Sequence, residues 1–411
     1  MSTAMRDLLS GFSHHLALFV WLAPVLAASV VSSEAIAADV LIIDTHIDAP
    51  IRMHLSGTDP AAGVPEANFD YARAVTGGLG TGFMAIFIPP DIDAAGDGLP
   101  LAHKLIDKVE GLAKENPDKF TLVTCPYDVK KAQKRGLIGL AMGMENGGPL
   151  RGGLDGLRQM HERGVRYVSL AHGKSNPLSD SSYDKERRWE GLSQEGRALI
   201  REMNILGMLV DVSHLSDDAF WHIMEETNVP AIASHSSMRH FIPGFERNMD
   251  DRMVTTLVAR GGVVQINVGS GFLTRKARDW EETFKVAAAK HFEGQKLAPM
   301  DPAVKTFATN YRTQNPYPYA TLDDVVDHID HVMNLAGING VGIGSDFDGV
   351  GDTLPVGLKS VADYPNLIEA LKKRGYSKRA IRKVMGENML RTWLRVERYA
   401  SEHGTPPRCA L

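Results

Sequence analysis

Residues 40–48 read VLIIDTHID, an apolar run that ends in polar residues with metal-binding side chains. Runs of this kind recur along the chain, with helical patterns between them. Most are continuously apolar rather than alternating, which is typical of strands buried on both faces of a parallel sheet. The eight runs are residues 40–44, 83–88, 137–143, 165–170, 208–212, 231–234, 262–267 and 341–344.

Eight strand–helix units in about 350 residues predict an α/β fold, a TIM-like (β/α)8 barrel with inserted loops in a single domain. A doubly wound open sheet is the alternative, because counting runs cannot show that a sheet closes. Amphipathic patterns over residues 154–163 and 194–206, and an N-cap at Ser216 for a helix that ends at Glu226, predict three helices. The long connection 268–340 is of a kind that serves as a lid or a subunit contact.

The composition excludes several classes of protein. The 411 residues include 45 Lys and Arg against 50 Asp and Glu, a net charge of −5, so we expect no nucleic-acid partner. The two cysteines, Cys125 and Cys409, exclude a disulfide scaffold and a four-thiolate zinc site. They permit at most one disulfide bond.

The N-terminal segment has the pattern of an export signal. Arg6 precedes an apolar run, residues 16–31, that is short for a bilayer span and is followed by the cleavage pattern of residues 35–37, AIA. We expect residues 1–37 to be a secretory signal peptide, residues 38–411 to form the barrel, and the protein to be exported, periplasmic or secreted. An uncleaved anchor is the alternative. After cleavage we expect no stable membrane anchor, because no lipoprotein cysteine or apolar tail follows.

Histidines and carboxylates follow most of the predicted strands. In a (β/α)8 barrel these positions meet at the C-terminal mouth, where this fold has its active sites. A single histidine or carboxylate at a strand end is usually structural, but their joint occurrence at successive strand ends predicts a metal centre. The residues are His46, Asp48, Glu145, His172, His214, His235, Asp346 and Asp348.

The types of side chain indicate which ions fit. Imidazole and carboxylate groups without thiolates suit Zn²⁺, Mn²⁺, Co²⁺ or Fe²⁺. His46 and Asp48 lie on the same side of an extended segment and can bind one ion, while His214 and His235 follow adjacent strands and can bind a second. Glu145 has two oxygens and can bridge the two ions. Two bridged cations would acidify a shared water and hold a hydroxide at neutral pH.

The other histidines have weaker support as ligands. His328 and His331, with Asp324 and Asp327, fall in a helical pattern, which favours a packing or solvated face. The remaining histidines of the predicted barrel lack a supporting group of residues; they are His54, His103, His161, His222, His240, His291 and His403.

Taken together, the strand-end segments resemble the membrane dipeptidase (renal dipeptidase) family of zinc peptidases, within the amidohydrolase-like barrels. The resemblance runs from about residue 44 to about residue 393, its motifs are collinear, and as a set they are specific. The matching segments are 43–48 (IDTHID), 143–148 (GMENGG), 168–172 (VSLAH), 207–214 (GMLVDVSH), 234–237 (SHSS), 247–250 (RNMD) and 344–349 (GSDFDG).

The resemblance implies a set of metal ligands. One metal would be bound by His46 and Asp48, another by His214 and His235, and Glu145 corresponds to the family's bridging carboxylate. The implied cofactors are two divalent metal ions, with zinc as the expected ion.

The resemblance also implies residues that act on the substrate. His172 corresponds to the histidine that contacts the tetrahedral intermediate, and Arg247 to the residue that binds the substrate carboxylate. A surface ion pair with Asp250 or Asp251 is the alternative for Arg247. Asp346 corresponds to the aspartate that engages the substrate amine or leaving nitrogen, with Asp348 as the weaker claimant.

The implied activity is that of a dipeptidase in which a metal-bound hydroxide hydrolyses the peptide bond of a dipeptide. The alternatives are a related barrel metallohydrolase acting on another amide, ester or lactam, and a metal-binding protein without activity. The resemblance leaves a homodimer open. The chain departs from the family at residues 146–149, NGGP, where members often have Gly-Gly-His, and in its enlarged 268–340 connection. Both departures bear on substrate range and assembly.

Overall fold

A closed ring of eight parallel strands forms the centre of the protein. The structure is a computed structural model that describes residues 40–295 and 302–405, so the predicted signal peptide lies outside the described residues. Neighbouring strands in the ring are β2-β1-β9-β8-β7-β6-β5-β4, and pairing of β2 with β4 closes it. The strands are β1 (Ile42–Ile47), β2 (Leu79–Phe87), β3 (Phe120–Leu122), β4 (Ile138–Glu145), β5 (Val165–Ser169), β6 (Leu209–Asp211), β7 (Ile232–Ala233), β8 (Val263–Ile266) and β9 (Val341–Ile343).

Closure of the ring confirms the predicted barrel, and the alternative of an open doubly wound sheet is wrong. The eight predicted runs supply the eight barrel strands. The structure adds β3, which pairs with the first residues of β4 and lies outside the ring. β5 pairs with β4 farther along, from Met142 onward. Three residues are too few to show a strand pattern in the sequence, so β3 was not predicted.

Helices follow the strands as the pattern predicted, and two of the predicted helices begin at a serine cap. Ser193 accepts a hydrogen bond from the Gly196 amide, and Ser216 accepts one from the Ala219 amide. The helices are α1 (Ala49–Ser56), α2 (Tyr71–Gly77), α3 (Pro90–Ala94), α4 (Gly98–Glu115), α5 (Pro126–Arg135), α6 (Asp155–Glu162), α7 (Gln194–Leu206), α8 (Asp217–Glu226), α9 (Asp251–Ala259), α10 (Ser270–Leu273), α11 (Arg275–His291), α12 (Pro302–Gln314), α13 (Leu322–Ala336), α14 (Tyr364–Lys373), α15 (Lys378–Arg382) and α16 (Asn388–Glu402).

The described residues of the long connection between β8 and β9 form four α-helices, α10 to α13. α13 buries one face against the barrel, whereas α11 buries only Ala277 and α12 buries none of its residues. A role as a lid or a subunit contact stays a prediction, as does a homodimer. Among residues 40–295 and 302–405 no helix has the length and apolarity that crossing a bilayer requires.

Apolar side chains fill the interior of the ring. Phe83, Tyr167 and Leu209 point inward from their strands, and Trp393 of α16 packs against the same cluster. A Cβ at Gly143 would lie 2.0 Å from the Tyr167 ring, so the glycine makes room for that ring. Because all eight strands are parallel, their C-terminal ends meet at one mouth.

Candidate metal centre and active site

The structure brings the eight predicted site residues together at the C-terminal mouth of the barrel. Each lies at the end of a strand or in the loop that follows it. They are His46, Asp48, Glu145, His172, His214, His235, Arg247 and Asp346. All are buried except His172, whose side chain is 27% exposed. The residue closest to solvent is therefore one that the resemblance assigns to the substrate.

Glu145 lies between the histidines, at the end of β4. Its Oε1 is 2.8 Å from His214 Nε2 and 3.1 Å from His235 Nε2. Its Oε2 faces the other way, 3.6 Å from His46 Nε2, and that nitrogen is 3.4 Å from Asp48 Oδ2. The two oxygens of Glu145 therefore face different groups of histidines, as a carboxylate that bridges two ions must.

The donor atoms fit a divalent metal. At the mouth there are three groups of three residues, and within each group the imidazole or carboxylate donor atoms lie within 4.8 Å of one another. Glu145 belongs to two of these groups, and so does His46. His46 Nε2 is buried and has no hydrogen-bond partner among the described residues. A buried polar atom without a partner is costly, and coordination of a cation would remove that cost. The third group joins His46 and Asp48 to Asp346.

Buried hydroxyls orient two of the histidines, which the sequence did not predict. Tyr167 Oη donates to the Thr45 carbonyl at 3.1 Å, so it accepts from His46 Nδ1–H at 2.8 Å. Ser234 Oγ donates to Asp211 Oδ2 at 2.6 Å and accepts from His235 Nδ1–H at 2.7 Å. In its neutral form, each imidazole held this way presents an unprotonated Nε2 toward Glu145, as a metal ligand requires.

Burial and charge shift the protonation of these groups in opposite directions. Burial disfavours the charged form of Glu145, but His46, His172 and His214 outweigh it and hold the pKa of Glu145 well below its usual value. Burial, followed by the charge of Arg247 or His46, lowers the pKa of His214 and of His235 well below the usual value. Burial also disfavours the charged form of His46, but Tyr167, Glu145 and Asp48 outweigh it and raise the pKa of His46 well above its usual value. The centre therefore combines an ionised carboxylate with neutral imidazoles at His214 and His235, and an ion that binds His46 must displace the proton from its Nε2.

Asp346, and not Asp348, faces the centre. Burial and then the charge of Asp48 raise the pKa of Asp346 to about 7. Asn267 Nδ2 donates to Asp346 Oδ2 at 2.7 Å. The Asp348 carboxylate instead pairs with Arg52 at 3.1 Å, among the residues around α1. Asn267 follows β8 and could have been found by applying the strand-end rule to amides as well as to acids and histidines.

Arg247 is buried beside the histidines and is only 2% exposed. It donates to Ser236 Oγ at 2.7 Å and to the His235 carbonyl at 2.8 Å, and its second terminal nitrogen is 3.1 Å from His214 Nε2. Asp250 instead caps α9 by accepting from the Met253 amide. The guanidinium therefore lies beside the histidines and does not form the surface ion pair with Asp250 or Asp251 that was the alternative.

Backbone strain is concentrated at this mouth. Asn146, His214 and Asp346 have φ values of 73°, 71° and 64°, the left-handed region that non-glycine residues rarely adopt. Such residues persist where the surrounding structure fixes them and are common at functional sites.

A cavity of about 1000 Å³ lies beside the centre and is lined by polar residues that include Asn146, Lys174, Tyr183 and Arg188.

The fold and the site together define a class of protein, a (β/α)8 barrel with buried histidines around a glutamate at its C-terminal mouth. Residues 31–406 match the model of the family described as membrane dipeptidase, peptidase family M19, and the chain belongs to this family of metallopeptidases. This confirms the family that the sequence motifs predicted.

Curated relatives and solved structures agree with the family. The chain is 30% identical over 383 residues to an uncharacterized dipeptidase of Schizosaccharomyces pombe, covering 89% of this chain and 83% of that one. It is 31% identical over 346 residues to the dipeptidase tcpJ of Claviceps purpurea, covering 82% and 72%.

Among solved structures, the probable dipeptidase PvdM of Pseudomonas aeruginosa superposes with a TM-score of 0.78 at 26% identity, covering 89% of this chain and 98% of that one. A metallo peptidase of Rhodobacter sphaeroides, liganded with a phosphinate mimic of the dipeptide L-Ala-D-Ala, gives 0.70 at 23% identity, covering 87% and 99%. The second likeness shows the shared fold.

Proposed function

We propose that this protein hydrolyses the peptide bond of free dipeptides with two divalent metal ions, and that the ions are zinc. The observation that carries the proposal is the position of Glu145, with one oxygen toward His214 and His235 and the other toward His46. The membrane dipeptidase family and the dipeptidases among its relatives support the choice of substrate.

Five side chains would hold the ions. His46 and Asp48 would bind one, His214 and His235 the other, and Glu145 both. The donors are nitrogen and oxygen without sulfur, a set that zinc accepts in catalytic sites. When bound, such ions acidify a water molecule and polarise the peptide carbonyl.

Arg247 would bind the free carboxylate of the dipeptide. Its guanidinium is fixed by Ser236 and the His235 carbonyl, so little side-chain freedom is lost when a substrate binds. A planar guanidinium binds a carboxylate through two parallel hydrogen bonds. A buried arginine that needs a terminal carboxylate next to the reacting peptide bond would restrict the enzyme to short substrates.

Asp346 and His172 would act on the reacting groups. With a pKa of about 7, Asp346 can carry a proton at neutral pH and give it to the leaving amine. His172 lies beside Glu145 and His214, at ring distances of 4.2 Å from His214 and 4.6 Å from Phe87. From there its imidazole can donate a hydrogen bond to the oxygen that becomes negative during attack.

Hydrolysis assays on metal-loaded protein test the proposal. We expect release of amino acids from dipeptides but not from tripeptides, and loss of turnover with a chelator. In the Glu145→Ala variant we expect fewer ions per chain by elemental analysis and almost no turnover. Normal turnover by Glu145→Ala with two ions bound would refute the bridging role. Turnover of esters or lactams but not dipeptides would favour the alternative of a related barrel hydrolase.

We also propose that residues 1–37 are removed on export and that residues 38–411 form the mature barrel. The apolar run and the AIA pattern of the sequence carry this proposal, because the structure does not describe these residues. Mass spectrometry of protein from the periplasm or medium of the native host should find an N-terminus at Ala38. An intact Met1 in a membrane fraction would indicate the uncleaved anchor.

A further inference from the structure

A second cluster of metal-binding side chains lies outside the candidate active site. The donor atoms of His240, Asp251 and His331 lie within 4.8 Å of one another. His240 belongs to a 3-10 turn (Arg239–Phe241) in the loop between β7 and α9, Asp251 is the first residue of α9, and His331 lies on α13. The residues are far apart in the sequence, which explains why His240 was predicted to lack a supporting group and His331 to lie on a packing or solvated face.

The arrangement within this surface cluster resembles that within the metal centre. The imidazoles of His240 and His331 stack with centroids 4.3 Å apart and planes at 23°, and His331 Nε2 is 2.7 Å from Asp251 Oδ1. In the metal centre, His46 and His235 stack at 3.7 Å and 27°, with Glu145 beside both. Both places therefore combine two stacked imidazoles with a carboxylate whose oxygen faces an imidazole nitrogen.

His328, one turn before His331 on α13, shows what a structural histidine looks like here. It is buried, its Nδ1 accepts from the Met238 amide at 3.0 Å, and its Nε2 donates to the Leu273 carbonyl at 3.0 Å. Both of its nitrogens are used, so His328 cannot bind an ion. In His331 the contact of Nε2 is with a carboxylate, which can share a cation with it.

The backbone around the surface cluster is already fixed. The hydrogen bond from Met238 to His328 holds the 3-10 turn against α13, and the Phe241 ring packs on His328 at 4.3 Å and on His331 at 5.7 Å. An ion would thus need only side-chain rotations, which bring the donor atoms to the spacing of about 3.3 Å that tetrahedral zinc with bonds near 2.0 Å requires.

We propose that His240, Asp251 and His331 bind one further divalent cation of the zinc class, with water in the remaining position. The ion would join the loop between β7 and α9 to α13. The same loop carries Arg247, and backbone hydrogen bonds from Arg239 to Met249 and from Met249 to Ser237 connect the turn to that segment. Binding would therefore restrain the segment beside the active site. The proposal does not depend on the proposed function.

Zinc stoichiometry tests this site without an activity assay. The fully metal-loaded wild type and a His240→Ala/His331→Ala double variant are dialysed against micromolar Zn²⁺, and bound zinc is counted. We expect the double variant to bind one ion fewer per chain and to show a smaller rise of Tm on addition of zinc. The matched control is His54→Ala, an exposed histidine on α1, which should behave as the wild type.

A second variant keeps the test decisive if the double variant folds poorly. Asp251→Asn changes a side chain that is 51% exposed and leaves both imidazoles in place. It should weaken the additional site at least 10-fold while the ions of the metal centre stay bound. Equal zinc stoichiometry of the wild type and the double variant, or an unchanged Zn²⁺ affinity of the additional site in Asp251→Asn by titration, would overturn the proposal.

Discussion

At the scale of single residues, the metal centre depends on which nitrogen of each histidine is free. The strand-end rule predicted which side chains meet here, because in a parallel barrel the residue after a strand must lie at the mouth. It could not predict Tyr167, which lies inside β5 in an apolar run. Tyr167 reaches His46 across the barrel interior, over 121 residues of sequence. The contact forms only when the barrel closes, and Gly143 leaves room for the aromatic side chain of Tyr167.

Tyr167→Phe should weaken metal binding while the barrel stays folded. The change removes only the hydroxyl that accepts from His46 Nδ1–H, so the orientation and tautomer of His46 are no longer fixed. Loss of such a partner typically lowers metal affinity by about 10- to 100-fold. Competition with a chromophoric chelator measures the affinity. Tyr376→Phe, which removes a hydroxyl bound to Asp330 away from the centre, is the control. Unchanged affinity in folded Tyr167→Phe would contradict the role.

Arg247→Lys should impair substrates that have a free C-terminal carboxylate. Lysine cannot reproduce the planar two-point contact, and it loses one of the two hydrogen bonds that hold the guanidinium. We expect kcat/KM for a dipeptide to fall by about 10- to 100-fold, mainly through KM, as for a lost charge-assisted hydrogen bond. The matching dipeptide amide should be a poor substrate of the wild type and should change little in the variant. Equal losses on acid and amide would show that Arg247 does not contact the carboxylate.

At the scale of elements, the patterns predicted long helices and buried strands better than short or irregular pieces. The amphipathic pattern of residues 194–206 predicted α7, and the cap at Ser216 predicted the start of α8; the structure adds a cap at Ser193. The sequence could not show that α13 is held to the barrel by a histidine. The partners of that histidine are backbone groups of other elements, the amide of Met238 in a loop and the carbonyl of Leu273 at the end of α10.

The stability of the protein should fall in mild acid through His328 on α13. Burial lowers the pKa of His328 to about 4, whereas in the unfolded chain the group titrates near 6.5. Between these values the unfolded chain binds the proton and the folded protein does not, so stability that is fully present above pH 6.5 is lost as the pH falls toward 4. The full loss from this group is about 3 kcal/mol.

Chemical denaturation of the wild type and of His328→Gln at pH 7, 6 and 5 measures this contribution. The variant is expected to be less stable at pH 7, because a buried hydrogen-bonding group is replaced, but its stability should decline less steeply with pH. His54→Gln, at an exposed position, should retain the wild-type slope. Parallel declines in the wild type and in His328→Gln would show that His328 does not carry the effect.

At the scale of the whole molecule, the proposed metal ligands come from strands spaced around the ring. His46 and Asp48 follow β1, Glu145 ends β4, and His214 and His235 follow β6 and β7. Bound ions would therefore connect parts of the barrel that are not neighbours in the sheet. The sequence predicted this convergence because barrel topology alone requires it. It could not predict the closeness of Asp48 and Asp346, whose mutual repulsion contributes to the raised pKa of Asp346.

Removal of the metals should lower the thermal stability of the whole barrel. Ions that bind only the folded state stabilise it by about 4 kcal/mol at a free concentration 1,000 times Kd, so a chelator should lower Tm by several degrees. Calorimetry with and without chelator measures the shift, and added Zn²⁺ should restore it. Glu145→Ala, which lacks the bridging carboxylate between the histidines, should respond much less to the chelator. Elemental analysis confirms that the chelator has removed the metal. If the Tm of that metal-free wild type is unchanged, strand pairing and the apolar interior suffice to hold the barrel together, and the ions do not stabilise it.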